Sequence, residues 1–153
     1  MSVRIVFLLV AMALSDWSLA TKSWRYFLAD ERQAYNENRQ DFNQRAVPLV
    51  RQVALDLGQA IEPPHPRADR RELWVVLRAP SGRPQTVVYS THAGTVTRQG
   101  APAFATLSFP LGITQLEFSQ RAPQAWELIF YRHLVTRFGF QGLDFVTFNL
   151  GRA

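Results

Sequence analysis

The sequence predicts an α+β protein in which a long N-terminal helix, kinked or broken at a proline, packs on a C-terminal antiparallel sheet. Three observations carry that prediction. Residues 21–45 contain no Gly and no Pro and are rich in charged and amide side chains, as an exposed helix requires. The stretch from Phe42 to Ile61 spaces Val50, Val53, Ala54, Leu57 and Ile61 by three and four residues, which marks one face of an amphipathic helix. Beyond Leu73 the pattern changes to short β-branched and aromatic runs separated by Pro/Gly/Ser turns.

The chain has 153 residues, the length of one ordinary domain, and 47% of them are hydrophobic, enough to bury a core. It opens with one arginine, an uninterrupted apolar run from Ile5 to Leu14, and small residues at Ser18 and Ala20. That layout fits a secretory signal peptide cleaved after Ala20, so that a mature chain starts near Thr21. Ten apolar residues fall short of the roughly 20 that span a bilayer, so the alternative is a retained N-terminal anchor helix that continues through Trp17 and Leu19. Residues 1–20 are therefore read as signal peptide or hydrophobic anchor, residues 21–47 as a helical stem, and residues 48–153 as an α+β head.

Within the stem, Trp24, Phe27, Leu28, Glu31 and Tyr35 recur at helical spacing and read as a packing stripe. Pro48 lacks the N–H that would close an interior helical turn, so a kink or a fresh start is expected there. On the helix that follows, Val50, Val53, Leu57 and Ile61 form the face expected to pack on the sheet, with Arg51, Gln52, Asp56 and Gln59 assigned to other faces. Truncating Leu57 to Ala on that reading costs about 2 to 5 kcal/mol, the usual penalty for a core cavity. Glu62-Pro63-Pro64-His65-Pro66 then stops the helix and forces an extended path.

Strands are predicted at Leu73–Arg78, Gln85–Thr91 and Thr95–Gln99, joined by APSGRP and by the turn His92-Ala93-Gly94, and so close together that they form an antiparallel meander. ATLSFPLG holds a short edge strand broken by Pro110, and ITQLEFSQ, WELIFY and LDFVTFNL read as further strands. RHLVTRFGFQG between the last two reads equally as strand or short helix.

The basic excess, 17 Lys and Arg against 12 Asp and Glu, gives a net charge of +5. All but Lys22 are arginines, scattered with no run longer than Arg70-Arg71, which makes a general positive field and not a dedicated patch. Interleaving of Trp74, Arg78, Tyr89 and Arg98 on neighbouring strands is the pattern of single-strand nucleic-acid binders. The same alternation arises in any sheet that puts aromatics in the core and arginines in water, so DNA is not the favoured partner. With no cysteine there is neither a disulfide framework nor a thiolate metal site. His65, His92 and His133 lack ligand spacing, no nucleophile elbow, phosphate loop or zinc-protease motif is present, and Asp69, Glu72, Glu127 and Asp144 single out no acid–base pair. No catalytic residue, cofactor or metal is expected.

The order of elements carries a resemblance. An apolar N-terminal segment precedes a long stem ending ALDLGQAI (Ala54 to Ile61), then a strand pair running Val88-Tyr89 through Gly94 to Arg98, then Gly112-Ile113-Thr114-Gln115-Leu116-Glu117-Phe118. Over Phe42 to Phe118 this resembles the minor pseudopilins and minor type IV pilins, above all the J-type pseudopilin of type II secretion and the F-type competence pilin. Tyr89, Gly94 and Arg98 are the residues that match the family's strand-pair phrase. Met1 to Leu14 departs from the family, since it holds neither the glycine nor the glutamate of a prepilin leader. The resemblance implies a pilin-like fold and a non-enzymatic subunit of a secretion, pilus or competence apparatus. Its partners would be other pilin-like subunits or envelope proteins, its place the periplasm or cell envelope, with the inner membrane reached through the N-terminal segment. The competing readings are a free periplasmic or secreted α+β binding protein and a hydrolase built on scattered carboxylates.

Overall fold

The computed structural model describes residues 3–135 and 141–151, and the side chains of residues 3–11 and 13–16 are outside that description. One helix, α1 (Val3–Gln59), is followed by eight strands: β1 (His65–Arg67), β2 (Glu72–Arg78), β3 (Pro84–His92), β4 (Thr95–Gly100), β5 (Phe104–Pro110), β6 (Gln115–Ala122), β7 (Ala125–Val135) and β8 (Gln141–Leu150). The α+β architecture is thus as the residue pattern predicts. The strands form two sheets instead of one, five-stranded in the order β1-β2-β3-β4-β5 and three-stranded in the order β6-β7-β8, with every pairing antiparallel. Within each sheet sequence-adjacent strands are neighbours, which is the cheapest topology for a chain joined by tight turns.

The helix is neither two helices nor restarted at Pro48: it runs through the proline without a break. Pro48 and Gln44 are both exposed, so the carbonyl that Pro48 cannot pair faces water and the lost bond is partly replaced. At 57 residues the helix is roughly 85 Å long at 1.5 Å per residue. Its C-terminal part is buried by the sheets, through Phe42, Ala46, Leu49, Val53 and Asp56.

That buried row differs from the expected face. The expected set is rotated roughly 75° about the helix axis from the observed one, taking 100° per residue. Val53 belongs to both and is fully buried, Val50 and Leu57 flank the core half-buried, and Ala54 is exposed. Ile61 is not on the helix at all, because α1 ends at Gln59. Its backbone N–H donates to the Val76 carbonyl at 3.0 Å, turning the chain along β2, and its side chain is left 41% exposed. The reason for the rotation is that Asp56, set aside as a surface residue by its charge, occupies the position an apolar residue was expected to fill.

The hairpins follow their turn chemistry. Ala93 and Gly94 both have positive φ, 47° and 80°, the geometry of a two-residue β-hairpin turn. Gly94 also carries the junction to the second sheet. Its carbonyl accepts from the Leu111 and Gly112 N–H groups at 3.1 and 2.8 Å, and a Cβ there would stand 3.4 Å from the Gly112 Cα. The β1–β2 turn is strained: Ala68, Asp69 and Arg70 are all left-handed, each costing about 1–2 kcal/mol for a residue with a Cβ. The turn is held where the Phe118 N–H of β6 donates to the Arg70 carbonyl at 2.8 Å, which stitches the two sheets together. β1 itself, three residues long, was invisible to hydrophobic periodicity because its sequence is HPR.

Candidate functional site

Cross-strand register places Tyr89 of β3 directly opposite Arg98 of β4, so both side chains project from the same face of the sheet. That face is the inner one. Tyr89 is fully buried and Arg98 is buried, and both meet Asp56 from the helix. The Arg98 Nε and Nη2 donate to Asp56 Oδ2 and Oδ1 at 2.6 and 3.1 Å, a bidentate pair, while the Tyr89 hydroxyl donates to Oδ2 at 2.6 Å. Gln52 Nε2, one turn back on the helix, donates to Oδ1 at 3.1 Å. The remaining Arg98 Nη1 reaches the Ala105 carbonyl at 3.4 Å, and its guanidinium lies 5.4 Å from the Phe104 ring. Two of the residues singled out by resemblance, Tyr89 and Arg98, are thus brought together, while Gly94 shapes the turn between their strands.

The electrostatics agree with a closed site. Burial, then the hydrogen bond to Asp56, pushes the Tyr89 phenol far above the ordinary range for tyrosine. For Arg98 burial pulls down, but the bond to Asp56 and its negative charge outweigh it and leave the guanidinium held more firmly protonated than usual. Both Asp56 oxygens, the Tyr89 hydroxyl and all three Arg98 nitrogens are engaged within the protein. Such a group can fix a helix on a sheet.

A second polar cluster ties the middle of the helix to the other sheet. Arg132 of β7 and Asp144 of β8 are register partners, and Arg132 Nε and Nη2 donate to Asp144 Oδ2 at 2.9 and 2.7 Å. Two helix residues complete it: the Tyr35 hydroxyl donates to Asp144 Oδ1 at 3.1 Å, and Asn38 Oδ1 accepts from Arg132 Nη1 at 2.8 Å. Arg132 also lies over the Phe42 ring at 4.7 Å, and Phe42 meets Phe130 edge-on at 5.6 Å. Asp144 therefore belongs to an ion pair with Arg132. Neither cluster was found from the sequence. The available signal was Asp56 standing in helical register with Phe42, Ala46, Leu49 and Val53.

Ahead of Tyr35 the described side chains of the stem are mostly exposed. Trp17, Leu19, Trp24, Tyr26 and Leu28 are exposed, Trp17 by 73% and Tyr26 by 77%. Of the expected packing stripe, Trp24 stacks on Phe27 at 5.3 Å and Tyr35 reaches the smaller sheet at Asp144, while Trp24 and Leu28 are exposed. Among the described residues no helix is long and apolar enough to cross a membrane. The expected cleavage point follows a run, Ile5 to Leu14, whose side chains lie almost wholly outside the described residues.

The remaining sequence candidates scatter. Trp74, Arg78, Tyr89 and Arg98 do not share a face: Tyr89 and Arg98 are inside, while Arg78 is exposed and Trp74 is half-buried on the outside, with Arg67 over its ring at 4.0 Å and Glu72 accepting from its indole N–H. His65, His92 and His133 are exposed, and among the described residues no group of His, Asp or Glu could hold a metal ion. An open groove of about 580 Å³ lies between the end of α1 and the end of the smaller sheet, lined by Leu57, Gly58, Pro64, Trp126, Leu150 and their neighbours, with no ionisable side chain. No family model, curated protein or solved structure matches the chain.

Proposed function

We propose that the chain is a non-enzymatic, pilin-like subunit, close in kind to the minor pseudopilins, of a type II secretion or type IV pilus and competence apparatus, and that it acts through subunit packing. One observation carries the reading. A single continuous helix is buried by its own head at one end and exposes Trp17, Leu19, Trp24, Tyr26 and Leu28 at the other. Trp17, Trp24 and Leu28 fall within about 40° of one another on one side of the helix, with Leu19 and Tyr26 opposite, and exposed aromatic and aliphatic side chains of this kind are what neighbouring helices or a membrane surface cover. The Tyr89 and Arg98 phrase supports the same reading, because those residues clamp the end of the stem helix to the head. On this view the protein works in the periplasm or cell envelope, with the N-terminal segment at the inner membrane.

Site-specific photo-crosslinking in the native envelope tests it. A photoreactive residue at Trp17, Trp24 or Leu28 should crosslink to other pilin-like subunits, and one at exposed Leu55 near the end of the helix should not. Crosslinks confined to a soluble ligand-carrying partner, or none at any stem position, remove the reading. The second reading, a free periplasmic or secreted binding protein, rests on the groove beside Leu57 and Trp126. Its lining, half polar through Gln124, Asn149 and backbone and without an ionisable side chain, suits a small uncharged molecule. Quenching of Trp126 fluorescence by extracted envelope metabolites, abolished in Gly58→Trp, would favour it over the first.

A further inference from the structure

The row of α1 side chains that meets the sheets continues past the point where the sheets end. At 100° per residue, Tyr35, Phe42, Ala46, Leu49 and Val53, which face the head, lie within about 60° of the exposed Trp17, Trp24 and Leu28. Steps of four and three residues link Trp17, Thr21, Trp24, Leu28, Glu31 and Tyr35, so the exposed part is a narrow heptad seam of the kind that receives another helix. Trp24, stacked on Phe27 at 5.3 Å, gives it an ordered aromatic surface. Its two flanks differ. On one, Arg25 and Arg32 stand seven residues apart and exposed, and no acidic residue lies three or four positions from either, so the helix itself does not neutralise them. On the other, Ala20, Phe27 and Ala34 carry no charge.

We propose that this seam seats one helix of a different protein, with that helix's apolar residues on Trp17, Trp24 and Leu28 and its acidic residues beside Arg25 and Arg32. The inference rests on the reading of the stem as a packing surface and adds the chemistry of what packs there. Shape selects a helix. From Tyr35 onward the head stands on this same side of α1, so a flat bilayer laid along the seam would run into the head, whereas a helix about 10–12 Å across lies beside it. Charge selects a partner other than a second copy, because the residues flanking a heptad seam face their counterparts across it. A copy laid parallel would turn Ala20, Phe27 and Ala34 toward the arginines, and in register it would also oppose Glu31 to Glu31. A copy laid antiparallel would set the two arginine rows against each other. Only a helix with carboxylates along its flank compensates Arg25 and Arg32.

The probes are two synthetic heptad-repeat peptides with leucine along the seam, one carrying glutamate and the other lysine on both flanks, so that neither pairs with itself. With the full chain in mild detergent, fluorescence anisotropy should show the glutamate peptide binding, more weakly as salt is raised, and the lysine peptide not binding. Arg25→Glu with Arg32→Glu should reverse that preference. Arg71→Glu with Arg83→Glu, an equal change of charge at exposed positions of the head, should leave it as it is. Trp24→Ser with Leu28→Ser should abolish binding, and the melting curve should be unchanged in all three variants because every site is exposed. In the native envelope, a photoreactive residue at Leu28 should join this chain to a different protein, and the product should vanish in Arg25→Glu with Arg32→Glu. A product joining two copies of this chain overturns the inference and leaves the subunit-packing reading standing; a charge-dependent product with a protein that is not pilin-like supports the inference and removes that reading. A glutamate peptide that binds the Arg25→Glu, Arg32→Glu chain as well as wild type overturns the inference. So does a chain that ignores both peptides, whether or not it binds phosphatidylglycerol vesicles through Trp24.

Discussion

Removing Asp56 should be among the most damaging single changes available to this protein. Asp56 is 2% exposed and accepts from Arg98 twice, from Tyr89 and from Gln52. Asp56→Ala leaves a 5% exposed guanidinium with only the Ala105 carbonyl as a protein acceptor. Stranding a buried charge in this way costs about 3–5 kcal/mol. Converted at about 2–4 °C per kcal/mol for a chain of this size, the melting temperature should fall by roughly 6 to 20 °C. The pair itself need not stabilise. Apolar replacement of both charges is often neutral or better, but here it would orphan the Tyr89 hydroxyl, at about 1–3 kcal/mol. The informative variant is therefore Asp56→Leu with Arg98→Met and Tyr89→Phe together, and it should be more stable than Asp56→Ala. Chemical denaturation of wild type, Asp56→Ala, Arg98→Met and the triple variant measures this. If Asp56→Ala costs under about 1 kcal/mol, as an exposed pair would, the clamp is solvated and the reasoning fails.

Three further outcomes follow from the same geometry. Leu49→Ala, at a fully buried position, should destabilise by about 2–5 kcal/mol in denaturant titration, while Leu57→Ala should cost less than that range and Ile61→Ala almost nothing. Tyr89 is neutral when buried and its phenol is raised above the unfolded value of 10.0, so its contribution to stability is complete below about pH 10 and is lost as pH rises beyond it. Alkaline unfolding followed by circular dichroism should therefore be shallower in Tyr89→Phe than in wild type. At the second cluster, Asp144→Ala should cost about 3 kcal/mol by stranding Arg132, whereas Tyr35→Phe should cost about 1 kcal/mol, and amide exchange should quicken around Tyr35 and Asn38 in the former.

The elements were legible where one physical signal dominated. Alternation and turn residues placed β2, β3 and β4 to within two residues at either end, and the prolines after Glu62 ended the helix. The uncovered aromatic stem was legible as spacing but not as surface, because periodicity says which residues share a face and not whether anything lies against it. Asp56 shows the deeper limit. A hydrophobic count discards a carboxylate at an interior position, so the helix face was drawn around Val50 and Ile61 when it ran through Phe42, Ala46 and Leu49. Arg98 and Tyr89 were noticed together, yet alternation alone assigned arginine to water. Only their register as opposed residues, with a carboxylate arriving from a helix 42 positions earlier, puts them inside. The division into two sheets depended on the Gly94 to Gly112 junction, a long-range backbone contact with no local pattern.

The two polar clusters do something that the apolar contacts around them cannot. A helix lying on a sheet through a stripe of Phe, Ala, Leu and Val can shift by one turn and still bury a similar stripe, since the repeat of the pattern is the repeat of the helix. Asp56 fits only opposite Arg98 and Tyr89, and Asn38 with Tyr35 only opposite Arg132 and Asp144. A one-turn slip would break the buried Asp56–Arg98 pair and at the same time strip Arg132 and Asp144 of their hydrogen bonds to Asn38 and Tyr35, a cost above that of the apolar contacts it exchanges. The clusters sit 18 residues apart on the helix, about 27 Å at its rise, and each belongs to a different sheet. The helix is thereby the part that sets the sheets relative to each other, and the sheets in turn fix how the stem leaves the head. The apolar triple variant separates these effects: it keeps the burial and removes the register constraint at one end, so exchange protection along β4 should fall even where the melting temperature does not.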